Sequence, residues 1–230
     1  MHQARYLTSF TLLATLPLIC AALAQPAMAA ETANTELAPV EVANLYIKTV
    51  VNEDEASIAA LNAYLRATRL AGHQPAEYAS FSELRKAAAE FPIEMGKTIA
   101  GLFPAAMQAS LTPAARQLAA NVLAAKNGAI CKTTGAEPVK EERGIQTAAV
   151  SFECQIVKAP LSWAQAAQQL AKSGCKAEQC EAGLKKIADS YATGPQQTWS
   201  AVFPVSREKS TEAWRNDFAR ETFNDIWEYL

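Results

Sequence analysis

The sequence predicts a mainly α protein: a single-domain, alanine-rich multi-helix bundle with one small β-hairpin or sheet, stapled by two disulfides. Three observations carry this. Alanine, the best helix former, supplies 48 of the 230 residues, against only 9 glycines. Apolar residues recur at helical spacing through most of the chain and switch to period-two alternation at Val150, Phe152, Cys154 and Ile156. The cysteine count becomes even once an export leader is removed. A composition 50% apolar and 19% charged argues against wholesale disorder. A net charge of −2 argues against a basic nucleic-acid binder.

Residues 1–29 read as a signal peptide. Arg5 supplies the basic start, an apolar run follows over residues 10–24, and Ala27-Met28-Ala29 is the small-x-small cleavage pattern. Pro17 interrupts the apolar run, which falls short of the roughly 20 residues a membrane-spanning helix needs. A lipoprotein reading through Cys20 is disfavoured because Ile19 stands where a small residue is wanted. The expectation is an exported, soluble protein, periplasmic in a Gram-negative cell, with no membrane span after cleavage. Residues 30–38 read as a loose polar tail and 39–230 as one helical domain.

Cys131, Cys154, Cys175 and Cys180 remain, and in an oxidising compartment they favour two disulfides. Zinc is disfavoured, because the only close pair is C-x4-C and His73 is the sole remaining histidine. Pairing Cys131 with Cys154 and Cys175 with Cys180 is the local choice. Five residues along one helix would hold the Cα atoms about 8 Å apart, beyond the roughly 7 Å limit. Cys175 is therefore expected in the turn after Gly174, with Cys180 on the next helix. Two longer-range pairings, Cys131–Cys175 with Cys154–Cys180 and the crossed form, stay open.

Along the chain, Pro39 suits a first helical turn, and Val40, Val42, Leu45, Tyr46, Thr49 and Val50 follow at helical spacing. Ile58, Leu61, Leu65 and Leu70 mark a second helix that ends near Gly72. Ser80-Phe81-Ser82-Glu83 is a capping box, opening a third helix expected to stop before Pro92. Residues 93–110 read as helix weakened by Gly96, Gly101 and Pro104, and Thr112-Pro113 as a fresh helix start. A strand around Val150–Ile156 is expected to pair with a shorter one over 129–133, joined by a charged loop over 135–144. Ser162-Trp163-Ala164-Gln165 opens another helix, and one more runs from Ala177 to about Ala192. Residues 198–205 are ambiguous between strand and loop, and a terminal helix is expected from near Ser210.

The opening run Val40-Glu-Val-Ala-Asn-Leu-Tyr resembles the start of nuclear-transport-factor-like cone proteins. Those continue into a long curved sheet where this chain returns to helices, so no family is assigned.

No nucleophile elbow, phosphate loop, dinucleotide fingerprint or zinc-protease motif occurs. Glu53-Asp54-Glu55 has the acids for a calcium ion or for acid–base work, but reads better as favourable charge at a helix start. No catalytic, cofactor or metal residue is assigned. All four tryptophans lie at or after position 163, and 8 of the 18 aromatics fall in the last 40 positions. That end either seals the core or offers a recognition face. Trp214 and Phe218 share one side, while Phe223, Ile226, Trp227 and Leu230 form a stripe about 140° away around a continuous helix. A helix broken near Thr222 would let both sides meet one core.

The functional expectation is a non-enzymatic exported protein acting on a protein partner in the cell envelope, such as an inhibitor or immunity protein against an envelope-targeting toxin. Its partner surface is expected at Glu137, Lys140, Glu141 and Arg143, with Phe223 and Trp227. A small-molecule or lipid carrier and a carboxylate-dependent hydrolase are the alternatives.

Overall fold

A computed structural model describes residues 36–208, 212–224 and 226–230. The expected leader, 1–29, and residues 30–35 of the expected tail lie outside the described residues. What is described of that tail is tied down: Glu36 pairs with Arg207 at 2.9 Å, and Leu37 is half-buried against the core.

Helix α1 (Pro39–Val50) starts at its proline, with Glu41 reaching back to accept from the Ala38 N–H at 2.8 Å. Helix α2 (Glu55–Ala71) is capped by Asp54, which accepts from the Ser57 N–H at 2.8 Å. That hydrogen bonding holds the Asp54 carboxyl below the usual range. Asn62 then shapes the loop after α2, donating to the Ala79 carbonyl and accepting from Tyr78 and Ala79.

Helices α3 (Phe81–Ala100) and α4 (Ala105–Asn127) correct two expected boundaries. Neither Pro92 nor Pro113 ends a helix. Each removes one N–H and leaves the carbonyl four residues back without its helical donor. Those carbonyls belong to Ala88, which is half-buried, and Ala109, which is exposed, so the lost bond is open to water. Packing offsets the rest. At Gly96 a Cβ would stand 2.5 Å from the Arg116 side chain and 3.0 Å from its Cα, so glycine lets α3 and α4 approach closely. The break between them falls at residues 101–104.

Strands β1 (Ile130–Ala136), β2 (Lys140–Glu142) and β3 (Ile145–Val157) follow. Half of the stretch expected as a charged loop, 135–144, is thus strand, turned at Arg143 and Gly144, whose φ values of 55° and 80° are those of a type I′ hairpin. Helices α5 (Trp163–Lys172) and α6 (Ala177–Thr193) come next. Strand β4 (Gln196–Arg207) resolves the ambiguous stretch as a strand. It pairs antiparallel with β3 from Gln146↔Arg207 to Val157↔Gln196. Strand β3 is central, with β4 on one edge and β1 and β2 in succession on the other. The protein is therefore a mixture of helices and a four-stranded antiparallel sheet, more β than a helical bundle with a hairpin.

The sheet is two-faced, as one-sided burial demands. Val150, Phe152, Cys154 and Ile156 face the core with Trp199, Phe203 and Val205, while Ser151, Glu153, Ser200 and Val202 lie on the other side. The four cysteines pair locally. Cys131 faces Cys154 across β1 and β3, with Cα atoms 4.0 Å apart. Cys175, in the turn after Gly174, joins Cys180 on α6 at 5.4 Å.

The end of the chain is no single terminal helix. Its expected start near Ser210 lies outside the described residues, and residues 212–218 form an irregular strap. Three hydroxyls from α1 and α2 accept its backbone N–H groups: Thr68 from Ala213, Tyr64 from Trp214 and Tyr46 from Asn216. Two short helices follow, α7 (Ala219–Thr222) and α8 (Ile226–Tyr229). The break after Thr222 turns Phe223, Ile226 and Leu230 into the same core as Trp214, but leaves Phe218 71% exposed.

Candidate functional site

Where α1 ends, its last turn meets the end of α4. The Asn52 amide donates to the Asn127 carbonyl at 2.9 Å and to the Ala129 carbonyl at 2.7 Å. This clamp fixes the α1–α2 turn. Glu53 within it takes φ 54°, a left-handed conformation uncommon for a side chain of this size.

The carboxylate of Glu53 accepts from Lys126 Nζ at 2.9 Å and from Asn127 Nδ2 at 3.5 Å. Lys126 Nζ also donates to the Val50 carbonyl at 3.4 Å and lies 5.5 Å from the centre of the Trp227 ring. Only 8% of the lysine side chain and 17% of the glutamate side chain are exposed. A buried pair offsets its desolvation only when its remaining valences are filled, and these partners fill them. Helix dipoles help: Lys126 stands in the last turn of α4, and Glu53 just ahead of the first turn of α2.

Thr49 is different. Its hydroxyl is buried and has no hydrogen-bond partner. A helical threonine commonly donates back to the carbonyl four residues earlier, and this one does not.

These groups line a cavity of about 250 Å³. Thr49, Glu53 and Lys126 give it a polar side, and Val50, Phe223, Ile226 and Trp227 an apolar one. Tyr78 and Arg220 complete the wall. Burial pushes the Tyr78 phenol up, while Arg220 beside it pulls the other way. Arg220 is exposed and its side chain hydrogen-bonds the Tyr78 phenol. Glu221 acts on the same phenol in the opposite sense to Arg220, so the charge around this wall is mixed. The space exceeds the roughly 150 Å³ that holds a benzene and falls near the lower end of small-molecule pockets.

The residues expected to carry function are not brought together. Glu137, Lys140, Glu141 and Arg143 are exposed on the β1–β2 connection and the β2–β3 hairpin. Glu137 and Lys140 pair at 2.9 Å, and that hydrogen bond lowers the Glu137 carboxyl and raises the Lys140 amine. Glu141 accepts from Gln146 at 3.2 Å, and Arg143 lies 3.9 Å from Glu142. Phe223 is 2% exposed and packs on Phe152 and Phe203 at ring distances of 5.5 and 5.3 Å. Its place in the core removes it as a free recognition face. Trp227 is half-buried, stacked on Phe91 at 5.7 Å, and belongs to the cavity wall. The acidic triplet splits: Glu53 goes to Lys126, Asp54 caps α2, and Glu55 is exposed. Among the described residues no group of three His, Cys, Asp or Glu side chains is placed to hold a metal ion, and no helix is long and apolar enough to cross a membrane.

Sequence reasoning missed Lys126, Tyr78 and Arg220. Lys126 reads there as an ordinary cation near a glycine-capped helix end. Thr49 was the visible signal, a polar residue on the apolar stripe of α1. No protein-family model, curated protein or solved structure matches this chain.

Proposed function

We propose that this chain is an exported binding protein for a small molecule, held in the cavity between the end of α1, the end of α4 and the helices α7 and α8. The observation that carries the reading is the cavity itself, whose wall sets the Lys126–Glu53 pair beside the half-buried Trp227 ring. The left-handed Glu53 is a local backbone cost in the same wall. This reading supports the carrier alternative over a lipid, because 250 Å³ is too small for an acyl chain of membrane length.

Native mass spectrometry of the exported protein tests it. A small-mass adduct is expected on the wild type and is weakened in Trp227→Ala, whose half-buried ring lines the cavity. A bare wild-type spectrum, together with no thermal shift across a small-molecule library, overturns it.

A second reading keeps a protein partner. It is favoured by Val139 and Ile145, 49% and 44% exposed beside Glu137, Lys140, Glu141 and Arg143. Photo-crosslinking from position 145 in the cell envelope, with Lys140→Glu/Arg143→Glu as control, is expected to give one discrete adduct that the control loses. Labelling that the control leaves unchanged overturns this second reading.

A further inference from the structure

We propose that the outer edge of β4 pairs antiparallel with the same edge of a second copy of this chain, about a twofold axis at Ser200, so that one continuous sheet crosses a dimer.

Two occupied positions fix the direction of the free backbone groups. Ser206 donates to the Arg215 carbonyl at 2.8 Å and accepts from the Arg215 N–H at 2.9 Å. The Asn216 amide donates to the Pro204 carbonyl at 2.8 Å. Residues 204 and 206 thus turn their polar groups away from β3. The register between β3 and β4 runs without a shift, and backbone groups along an antiparallel strand alternate sides. Those of Thr198, Ser200 and Val202 therefore point the same way. Among the described residues no strand pairs with them on that side.

Sheet edges are commonly guarded by charge, bulges or shortness, and the opposite edge is. Strand β1 carries Lys132 and a register shift between Thr133 and Gly135, and β2 is only three residues long, Lys140–Glu142. Strand β4 runs for 12 residues with no charge from Gln196 to Ser206, and Pro204 guards only its far end.

The missing charge selects a second copy as the occupant. A twofold sets the strand against itself, and charges near the axis would meet their like. A foreign extended peptide would find no charge here to select it. Pro204 has no N–H and its carbonyl is taken, so the shared ladder ends short of it. Centring on Ser200 then uses every free group from 198 to 202: Thr198 on the partner's Val202, Ser200 on the partner's Ser200, and Val202 on the partner's Thr198. Each such pair exchanges two bonds. These side chains lie on the solvent face of the sheet, so Val202, 51% exposed, gains a β-branched neighbour across the axis. The shared ladder is short, and the dimer is expected to be weak and reversible.

The experiment is sedimentation velocity of the full exported protein over a concentration series. The wild type is expected to pass from monomer to dimer. Two double variants, Thr198→Lys/Val202→Lys and Thr198→Glu/Val202→Glu, set like charges across the axis and are each expected to raise Kd about tenfold. Mixed in equal amounts they set opposite charges across it, and a heterodimer at least as tight as the wild-type dimer is expected. Unchanged melting temperature shows that both fold. Amide exchange of the wild type gives a check that needs no variant: the Thr198, Ser200 and Val202 amides are expected to slow as concentration rises, while those of Trp199, Ala201 and Phe203 are slow throughout. A wild type that stays monomeric up to about 1 mM overturns the proposal and leaves the edge to a segment of another protein. Dimerisation that both variants leave untouched, a mixture that does not associate, or edge amides indifferent to concentration overturns it as well.

Discussion

Thr49 and Lys126 are both buried polar residues in one cavity wall, yet their removal is expected to act with opposite sign. Thr49→Val deletes a hydroxyl that bonds to nothing and keeps the side chain's shape. Stability in urea is expected to rise by about 1 kcal/mol, or roughly 2–4 °C in Tm for a chain of this size. Lys126→Met strands the Glu53 carboxylate and is expected to cost about 3–5 kcal/mol. A destabilised Thr49→Val would show that the hydroxyl is bonded in solution. The position of Thr49 was readable, because helical spacing put it on the buried stripe with Tyr46 and Val50. Its lack of a partner was not, since that depends on what α4, α7 and α8 bring to it. Arg220 was invisible for the same reason: a lone arginine near the end of the chain gives no sign of which cavity it borders.

At the scale of elements, caps were more legible than stops. Ser80 and Ser162 cap α3 and α5, accepting at 3.4 Å from Glu83 and Gln165, because a cap is a local bond between neighbours in sequence. The prolines misled, because whether a helix survives one depends on the packing around it, and α3 against α4 supplies that packing. The terminal aromatics divide in the same way. Phe223→Ala is expected to cost about 3–5 kcal/mol, as truncation of a buried aromatic does. Phe218→Ala, at a side chain 71% exposed, should change stability by no more than about 0.5 kcal/mol. Chemical denaturation of the two variants checks this, and equal losses would mean that the strap packs differently. The two disulfides also differ in reach. In the chain-entropy model the bridge across β1 and β3, separation 23, contributes about 3 kcal/mol, and the one at the α5–α6 turn, separation 5, about 2 kcal/mol.

For the molecule as a whole, alkaline pH is the informative stress. Burial raises the phenol pKa values of Tyr46, Tyr64, Tyr78 and Tyr191, the last to about 12. Unfolded tyrosines ionise near 10. Below about pH 10 both states hold these protons and the tyrosines leave stability unchanged. Above it the unfolded chain releases protons that the folded one keeps, so stability falls as pH rises from about 10 toward 12. Tyrosinate absorbance and far-UV ellipticity are expected to change together in that window. Full tyrosine ionisation near pH 10 with ellipticity intact would contradict the burial. The period-two pattern around Val150 revealed that a sheet exists. It did not reveal the extent of β4, whose sequence mixes Trp199, Val202 and Phe203 with Ser200 and Pro204.

The strap held by Thr68, Tyr64 and Tyr46 joins residues 145, 150 and 170 positions apart. The cavity beyond it takes one wall from α1 and the facing wall from α7 and α8. Contacts between such distant stretches carry the largest loop-closure cost and form slowly. A chain emerging in order from N- to C-terminus therefore has its helical hairpins and sheet available before it has a cavity. The proposed binding site is the seam at which the chain closes on itself, and on that reading competence to bind arrives only when folding is complete.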